Sequence, residues 1–233
     1  MEKLSPAATL TLPHPLTSPN GLRGLHLIYG HPAAREVGFY LTAAWLCQGH
    51  RAIVVDGENN FDPFLFSDAA RRISLSPDQV LRNLFISRAF TCHQLQALIV
   101  DRLTAAVRDT HSRLILAIGL LSTFYDEQVP LWEAKRLLRP TLGRLHGLAK
   151  RGYGVLILLP GEPRGITKRG VFLQWTKACA DRIFRVETSN WEAPSDPGAP
   201  GRPYTVNVHL EKPAGETADW HIRFDPALAP RKR

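Results

Sequence analysis

Residues 52–63 read AIVVDGENNFDP, an apolar run rich in β-branched residues that passes into a loop carrying three carboxylates. A run of this length and composition predicts a buried strand. Earlier in the chain, residues 25–29 (LHLIY) form a similar run and lead into GHPAAREV at residues 30–37. Phosphate-binding loops follow a strand in this way and open a helix. The two stretches together predict a nucleotide-type α/β fold.

Apolar runs alternate with stretches of helical spacing along most of the chain. Strands are predicted at residues 25–29, 51–56, 84–88, 113–118 and 153–159, and helices at residues 33–48, 92–108, 131–151 and after Asp62. Such alternation predicts a mainly parallel central sheet covered by helices on both faces. The pattern changes after residue 159, and further runs at residues 181–187, 204–210 and 220–224 predict a C-terminal antiparallel extension.

The length of 233 residues fits one core domain at residues 21–225, with an extended arm at residues 1–20 and a basic tail at residues 226–233. The formal net charge is +8, with 29 Lys and Arg against 21 Asp and Glu. This excess favours an anionic partner such as nucleic acid. An arginine-rich coding bias produces the same excess, so charge alone does not decide between the two explanations.

The three cysteines, Cys47, Cys92 and Cys179, lie far apart and lack the spacing of metal ligands. We therefore expect no metal site and no disulfide framework, and we expect a reducing, cytoplasmic compartment. No apolar run has the length of a membrane span, so no membrane partner is expected.

Four segments resemble the ATPase core of the RecA/RadA recombinase family. Residues 56–63 are similar to the family's Asp-x-Glu-x-x-x-x-Pro after its second strand, and residues 84–94 (LFISRAFTCHQ) resemble its Ala-Arg-Ala-Phe strand and His-Gln helix. Residues 114–120 fall where the Walker B strand lies, and residues 181–186 resemble the late strand after the DNA-binding loop. The resemblance covers residues 20–225 and implies a RecA-like three-layer α/β domain.

The resemblance also exposes departures from a working phosphate loop, Gly-x-x-x-x-Gly-Lys-Ser/Thr. Gly30 keeps the first position, whereas Arg35, Glu36 and Val37 replace the second glycine, the lysine and the hydroxyl. The lysine contacts the β/γ-phosphates and the hydroxyl binds Mg²⁺. Glu36 is therefore expected to repel a phosphate, and Val37 cannot hold the metal. The degenerate loop comprises Gly30, His31, Pro32, Ala33, Ala34, Arg35, Glu36 and Val37.

The fourth strand lacks the Walker B aspartate, because Gly119 stands where the resemblance implies that residue. Glu58 matches the family's water-activating glutamate and is interpreted as a vestigial general base; a turn residue after a strand is the alternative. A base without cations does not stabilise phosphoryl transfer. We expect no significant ATPase activity and no cofactor, while weak ATP binding stays open. An unconventional ATPase using Arg35 and Glu58 with a partner is a further alternative.

Two surfaces are implied by the resemblance. The loop at residues 160–170 matches the family's DNA-contacting loop, and its cations Arg164, Lys168 and Arg169 are the expected phosphate contacts on single-stranded DNA. A solvated loop without a ligand is the alternative. Phe85, Ser87 and Ala89 match the strand beside which a neighbouring subunit inserts a Phe and a small apolar residue.

The function expected from these residues is that of a non-catalytic RecA/RadA-like paralogue. It would serve as a DNA-binding or partner-binding accessory in DNA recombination and repair, at the nucleoid or in the nucleus. Another RecA-like subunit or a repair protein is the expected partner. The alternative is a protein adaptor without DNA affinity, similar to RecA-like accessory factors of mutagenic polymerases.

Overall fold

The computed structural model describes residues 21–72, 75–161, 168–189, 204–212 and 219–224. The arm at residues 1–20, the tail at residues 226–233 and Arg164 lie outside these ranges. The strands are β1 Gly24–Gly30, β2 Ala52–Asp56, β3 Leu84–Arg88, β4 Leu114–Ile118, β5 Gly154–Pro160, β6 Arg182–Ser189, β7 Tyr204–Lys212 and β8 Asp219–Phe224. The α-helices are α1 Ala34–Leu46, α2 Pro63–Arg72, α3 Pro77–Leu81, α4 Cys92–Ala97, α5 Leu103–Asp109, α6 Leu131–Lys150 and α7 Val171–Cys179.

The strands form one sheet in the order β3-β2-β4-β5-β1-β6-β7-β8. Every pair from β3 to β6 is parallel. The pairs β6–β7 and β7–β8 are antiparallel. The predicted RecA-like α/β fold, with a mainly parallel sheet and a C-terminal antiparallel extension, is therefore confirmed. The sequence did not predict α7, which follows the basic loop after β5.

Alternate side chains of the buried strands supply two cores, one on each face of the sheet. Val54 and Leu116 pack with α1, α2 and α3, whereas Ile53 and Ile115 pack with the helices from α4 to α7. This alternation follows from the two-residue period of a strand. The result is the expected three-layer arrangement of helices, sheet and helices.

The helix predicted at residues 92–108 contains a π-helical segment, Leu98–Arg102, between α4 and α5. Helix α6 runs without a break through Pro140. Proline at this position removes one backbone hydrogen bond. Both departures from regular geometry lie on the same face of the sheet, and they shape the surface there.

A polar network joins β1, α7 and β7 at one edge of the second core. Lys177 Nζ donates to the Tyr29 hydroxyl oxygen at 2.6 Å, and the Tyr29 hydroxyl donates to the Glu211 carboxylate at 2.7 Å. Glu211 lies where the β6–β7 register shifts, between the pairs of Ile183 and Phe184. The shift directs Glu211 toward β1, so the antiparallel extension is tied to the parallel sheet.

Candidate functional site

The carboxyl ends of the parallel strands lie together at one end of the sheet, where α/β proteins of this kind bind their ligands. The loop after β1 lies at this carboxyl end of the sheet. Gly30 has φ +110°, and a Cβ there would lie 2.5 Å from the carbonyl oxygen of Val186. The backbone N–H of His31 donates to that same oxygen at 2.9 Å. Glycine at residue 30 is therefore required by close packing of β1 on β6.

The backbone N–H groups that would surround a phosphate are already used inside this loop. The N–H of Ala33 donates to Nδ1 of His31 at 3.2 Å, and the Glu36 carboxylate accepts its own backbone N–H. The other donors are Ala34 to His31 O (2.8 Å), Arg35 to Pro32 O (3.1 Å) and Val37 to Ala33 O (3.1 Å). Phosphate binding at a helix N-terminus needs these groups to point at the ligand. Here they close a tight turn.

The side chains that replace the second glycine and the lysine do not rebuild the site. Burial raises the pKa of Glu36, because desolvation disfavours a charged carboxylate. Its Oε2 atom and the Nε atom of Arg35 are buried, and neither has a hydrogen-bond partner among the described residues. Whether Glu36 is neutral or charged, it supplies no positive charge for a phosphate.

The loop after β2 is fixed by the buried carboxylate of Asp56. Its Oδ1 atom accepts the backbone N–H of Glu58 at 3.1 Å and of Asn60 at 3.2 Å, and its Oδ2 atom accepts that of Phe61 at 2.8 Å. Arg88, at the end of β3, lies with Nε 3.7 Å from Asp56 Oδ2 and donates to the Phe61 carbonyl at 3.2 Å. Asp56 therefore shapes the loop that carries Glu58.

Glu58, the predicted vestigial base, lies directly over Gly119. A Cβ at residue 119 would come 1.9 Å from Cγ of Glu58, and Gly119 has φ +58°. Ser122 donates a hydrogen bond to Oε1 of Glu58 at 2.6 Å. The side chain of Glu58 thus fills the space beside β4 that a longer residue at 119 would need. The sequence analysis did not predict a role for Ser122 as the hydrogen-bond donor to Glu58. The available signal was a hydroxyl side chain three residues after Gly119.

Two of the three cations predicted to contact DNA in the loop after β5, Lys168 and Arg169, lie among the described residues. Lys168 is exposed, and Arg164 lies outside the described residues. Arg169 was expected to contact DNA, but it is only 7% exposed, and its guanidinium donates to the carbonyls of Phe124 and Val129. The expectation for Arg169 is corrected: this side chain anchors the segment after β4.

Strand β3 is one of the two edge strands of the sheet, β8 being the other, and apolar side chains are exposed along β3. Phe85 is 38% exposed and Phe90 is 66% exposed, and Ser87 is also exposed. Ala89 is only 1% exposed, so it lies behind this surface and not on it. Next to the edge is a cavity of about 310 Å³ lined by Arg88, Phe90, Gln94, Ala97, Leu98 and Arg102.

The described residues contain no group of three or more His, Cys, Asp or Glu side chains placed to hold a metal ion. None of the helices found there combines the length and the apolar character needed to cross a membrane.

Comparison with known proteins matches the Rad51 family model to residues 41–160. One similar relative is the DNA repair and recombination protein RadA of Aeropyrum pernix, 32% identical over 77 residues. That alignment takes in 33% of this chain and 24% of the relative, so it spans about a quarter of the relative's length. The family match takes in β2 to β5, with Asp56, Glu58 and Gly119. Since it covers more than half of the 233 residues, the chain belongs to the Rad51 family.

Proposed function

We propose that this chain is a non-catalytic accessory member of its family, acting in DNA recombination and repair by binding and not by ATP turnover. The observation that carries the proposal is the closed loop after β1: apart from Pro32, which has no N–H, the backbone N–H groups of residues 31–37 donate hydrogen bonds to protein acceptors. Catalysis of phosphoryl transfer depends on positioning and on cations around the phosphates. The loop at residues 30–37, all of which the structure describes, offers neither a free amide cradle nor the lysine.

The arrangement of Glu58 supports the same proposal. A general base acts on water held beside the γ-phosphate, and the metal ligand next to it neutralises charge. In this chain the Glu58 carboxylate accepts a hydrogen bond from Ser122 and covers Gly119. Its place in the fold is structural, since it packs on the strand that would otherwise present an acidic metal ligand.

The similar RadA is described as a DNA repair and recombination protein, which makes single-stranded DNA the first partner to propose. Lys168 is the exposed cation of the basic loop among the described residues, and the chain carries a net charge of +8. Phosphate contacts by such cations are independent of base sequence and weaken as salt rises. Arg169 contributes through folding and not through contact with DNA.

The exposed edge of β3 favours a second candidate, a protein adaptor. An open strand with exposed Phe85 and Ser87 can pair with an extended segment of a partner, and the cavity beside Phe90 can hold an apolar side chain. We propose a RecA-like subunit or a repair protein as the partner at this edge. DNA affinity distinguishes the accessory from the pure adaptor.

The test is fluorescence anisotropy of labelled single-stranded DNA against the full chain, over a salt series, with and without Mg-ATP. Lys168→Gln is compared with Arg108→Gln, an exposed cation at the end of α5. We expect binding that is indifferent to ATP, falls with salt and weakens severalfold in Lys168→Gln alone. Binding that requires Mg-ATP, or phosphate release that Glu58→Gln abolishes, would overturn the non-catalytic proposal. No binding at low salt would favour the adaptor.

A further inference from the structure

A row of cations lies at the amino end of the parallel sheet, opposite the end that carries the loop after β1. The residues directly before β2, β4 and β1 are Arg51, Arg113 and Arg23, and Tyr153 directly precedes β5. All three arginines are exposed. The loop after β5, which carries Lys168, leaves the sheet at the carboxyl end. The row is therefore a second cationic surface, separate from the proposed site for single-stranded DNA.

Backbone hydrogen bonds fix the order and the spacing of this row. The N–H of Arg113 donates to the carbonyl oxygen of Arg51 at 3.2 Å. The N–H of Gly24, which follows Arg23, donates to the carbonyl oxygen of Tyr153 at 3.2 Å. These bonds continue the pairing of β2 with β4 and of β5 with β1 by one residue. Since neighbouring strands lie about 4.8 Å apart, the three arginines are distributed along a line of about 14 Å.

Two of the guanidinium groups are held by neighbours without being used up. Arg51 donates from Nη1 to the carbonyl oxygen of Thr110, just after α5, at 3.1 Å. The guanidinium carbon of Arg113 lies 5.8 Å from the centroid of the Tyr153 ring. A guanidinium has more N–H donors than these contacts engage. Both side chains are thus positioned and still have donors for a ligand.

The charge of the row is not neutralised within the part of the chain that the structure describes. None of the three arginines takes part in an ion pair there. Asp181, directly before β6, accepts the N–H of Leu25 at 2.8 Å and a hydrogen bond from Nζ of Lys150 at 3.3 Å, so Lys150 offsets its charge. Asp109, exposed at the end of α5, is an opposing charge but forms no ion pair with Arg51. The row keeps a net positive charge.

The electrostatics of helix termini do not account for the whole row. A cation near the C-terminus of a helix complements the helix dipole, which explains the contact of Arg51 with Thr110 at the end of α5. Arg23 and Arg113 instead precede strands, and neither side chain donates to a carbonyl of a described helix. Their charge is therefore available to an anionic ligand.

We propose that this row binds the phosphate backbone of duplex DNA. Arginines in a line can each contact a phosphate, and such contacts are independent of base sequence. Surfaces for single strands add aromatic side chains on which bases stack. Tyr153 is half-buried and its ring already faces Arg113, so the row offers no such platform.

A membrane surface fits the row less well, because binding at a membrane interface adds apolar side chains to the cations. None of the large apolar side chains exposed in the described part of the chain belongs to the row. The inference goes beyond the proposed function, since it places duplex DNA at the amino end of the sheet. It depends neither on Lys168 nor on the loss of ATP turnover.

The experiment is fluorescence anisotropy of a short labelled DNA duplex against the full chain, over a salt series. Arg23→Gln/Arg113→Gln is compared with Arg136→Gln/Arg185→Gln, which removes the same charge at exposed positions outside the row. We expect the first variant to bind the duplex about tenfold more weakly, and the slope of log affinity against log salt to fall by about two, one for each lost phosphate contact. The control should keep the affinity and the slope of the unaltered chain.

Arg23→Lys/Arg113→Lys, which retains both charges, should keep most of the duplex affinity, and thermal melting checks that each variant is folded. Equal duplex affinity in the glutamine variant and the unaltered chain would overturn the inference. Equal losses in both glutamine variants, or no duplex binding at low salt, would do the same. Displacement by poly-L-glutamate as readily as by unlabelled duplex, at matched charge, would assign the row to acidic proteins instead.

Single-stranded DNA separates this inference from the proposed function. Arg23→Gln/Arg113→Gln should leave the affinity for single-stranded DNA unchanged, and Lys168→Gln should leave the affinity for the duplex unchanged. A parallel loss of both affinities in the row variant would show that the row is not a separate site.

Discussion

Arg169 Nη1 donates to the backbone oxygen of Phe124 at 2.7 Å, so a side chain two residues before α7 holds the segment that follows β4. Its second nitrogen donates to the carbonyl of Val129. Two carbonyls from one segment are thereby satisfied by a single planar guanidinium. A lysine has no such fork and cannot reproduce the pair of bonds.

We therefore expect Arg169→Lys to lower the free energy of unfolding by about 1–3 kcal/mol, because buried carbonyls lose their donors. The measurement is urea denaturation followed by circular dichroism. Lys168→Ala is the matched control, since an exposed side chain typically changes stability by less than about 0.5 kcal/mol. Equal stability of the two variants would show that Arg169 does not anchor the segment after β4.

Gly119→Asp tests the contact between Gly119 and Glu58. The new side chain requires Glu58 to rotate away from Ser122, and it adopts a positive φ that favours glycine. We expect a loss of about 1–3 kcal/mol, from the broken hydrogen bond and the backbone strain. Adding Glu58→Ala should recover part of this loss, because it removes the obstructing side chain. A destabilisation that is the same with and without Glu58 would contradict the contact.

Stability should fall in mild acid because of His26. Burial lowers the pKa of His26 to about 4, from an ordinary value of 6.5. The nearby Arg182 adds to this effect. The Nε2 atom donates to the carbonyl of Arg23 at 3.0 Å, while Nδ1 is buried without a partner among the described residues. The unfolded state binds the proton first, so stability is complete above the unfolded pKa and declines as the pH falls toward 4.

From pH 7 to pH 5 we expect this imidazole to remove about 2 kcal/mol of the free energy of unfolding. His26→Gln should flatten the profile in that interval, since a glutamine amide can still donate to the Arg23 carbonyl. Chemical denaturation at half-unit pH steps provides the comparison. An unchanged slope in the variant would assign the acid sensitivity to other groups.

Tyr29→Phe tests the network that ties the antiparallel extension to β1. Burial raises the pKa of Tyr29, so its neutral form is favoured in the fold. Burial alone would lower the pKa of Lys177, but hydrogen bonds to Tyr29 and Glu211 outweigh this effect and raise it. Both shifts make the native state less stable as the pH rises through the alkaline range, because the unfolded state releases its protons first.

We expect Tyr29→Phe to cost about 1–3 kcal/mol at neutral pH, since Lys177 and Glu211 lose a partly buried partner. The alkaline decline should also be less steep than in the unaltered chain. The measurement is the midpoint of thermal unfolding at pH 7 and pH 10. Thr205→Val, on the same β7 strand, serves as a control away from the network. Matching midpoints for Tyr29→Phe and the unaltered chain at both pH values would exclude a stabilising network.

The parallel sheet was predictable from the sequence because its strands are short apolar runs separated by helical patterns. Residues 114–118 are buried throughout, and a run of this kind leaves few alternatives. The loop carrying Glu58 was predictable for the same reason. Helix α7 was not, since its nine residues follow a glycine-containing loop and bury chiefly Phe172 and Thr176.

The role of Arg169 could not be predicted, because its acceptors lie about forty residues earlier in the chain. In sequence it is one of several cations in a polar loop, and only tertiary packing distinguishes it from Lys168. The contact between Glu58 and Gly119 was hidden in the same way. In the sequence, Gly119 departs from the RecA/RadA pattern and Glu58 matches it. The contact between the two residues depends on the pairing of β2 with β4.

Arg88 belongs to two regions at once. It is the last residue of the open edge strand, and its guanidinium holds the Asp56–Phe61 loop. A strand that pairs with β3 removes water from beside this guanidinium, and its interaction with Asp56 strengthens as local screening falls. The Asp56–Phe61 loop and the edge strand β3 are therefore coupled through Arg88. An environment-sensitive dye at exposed Asn59 would report, from a distance, whether the edge is occupied.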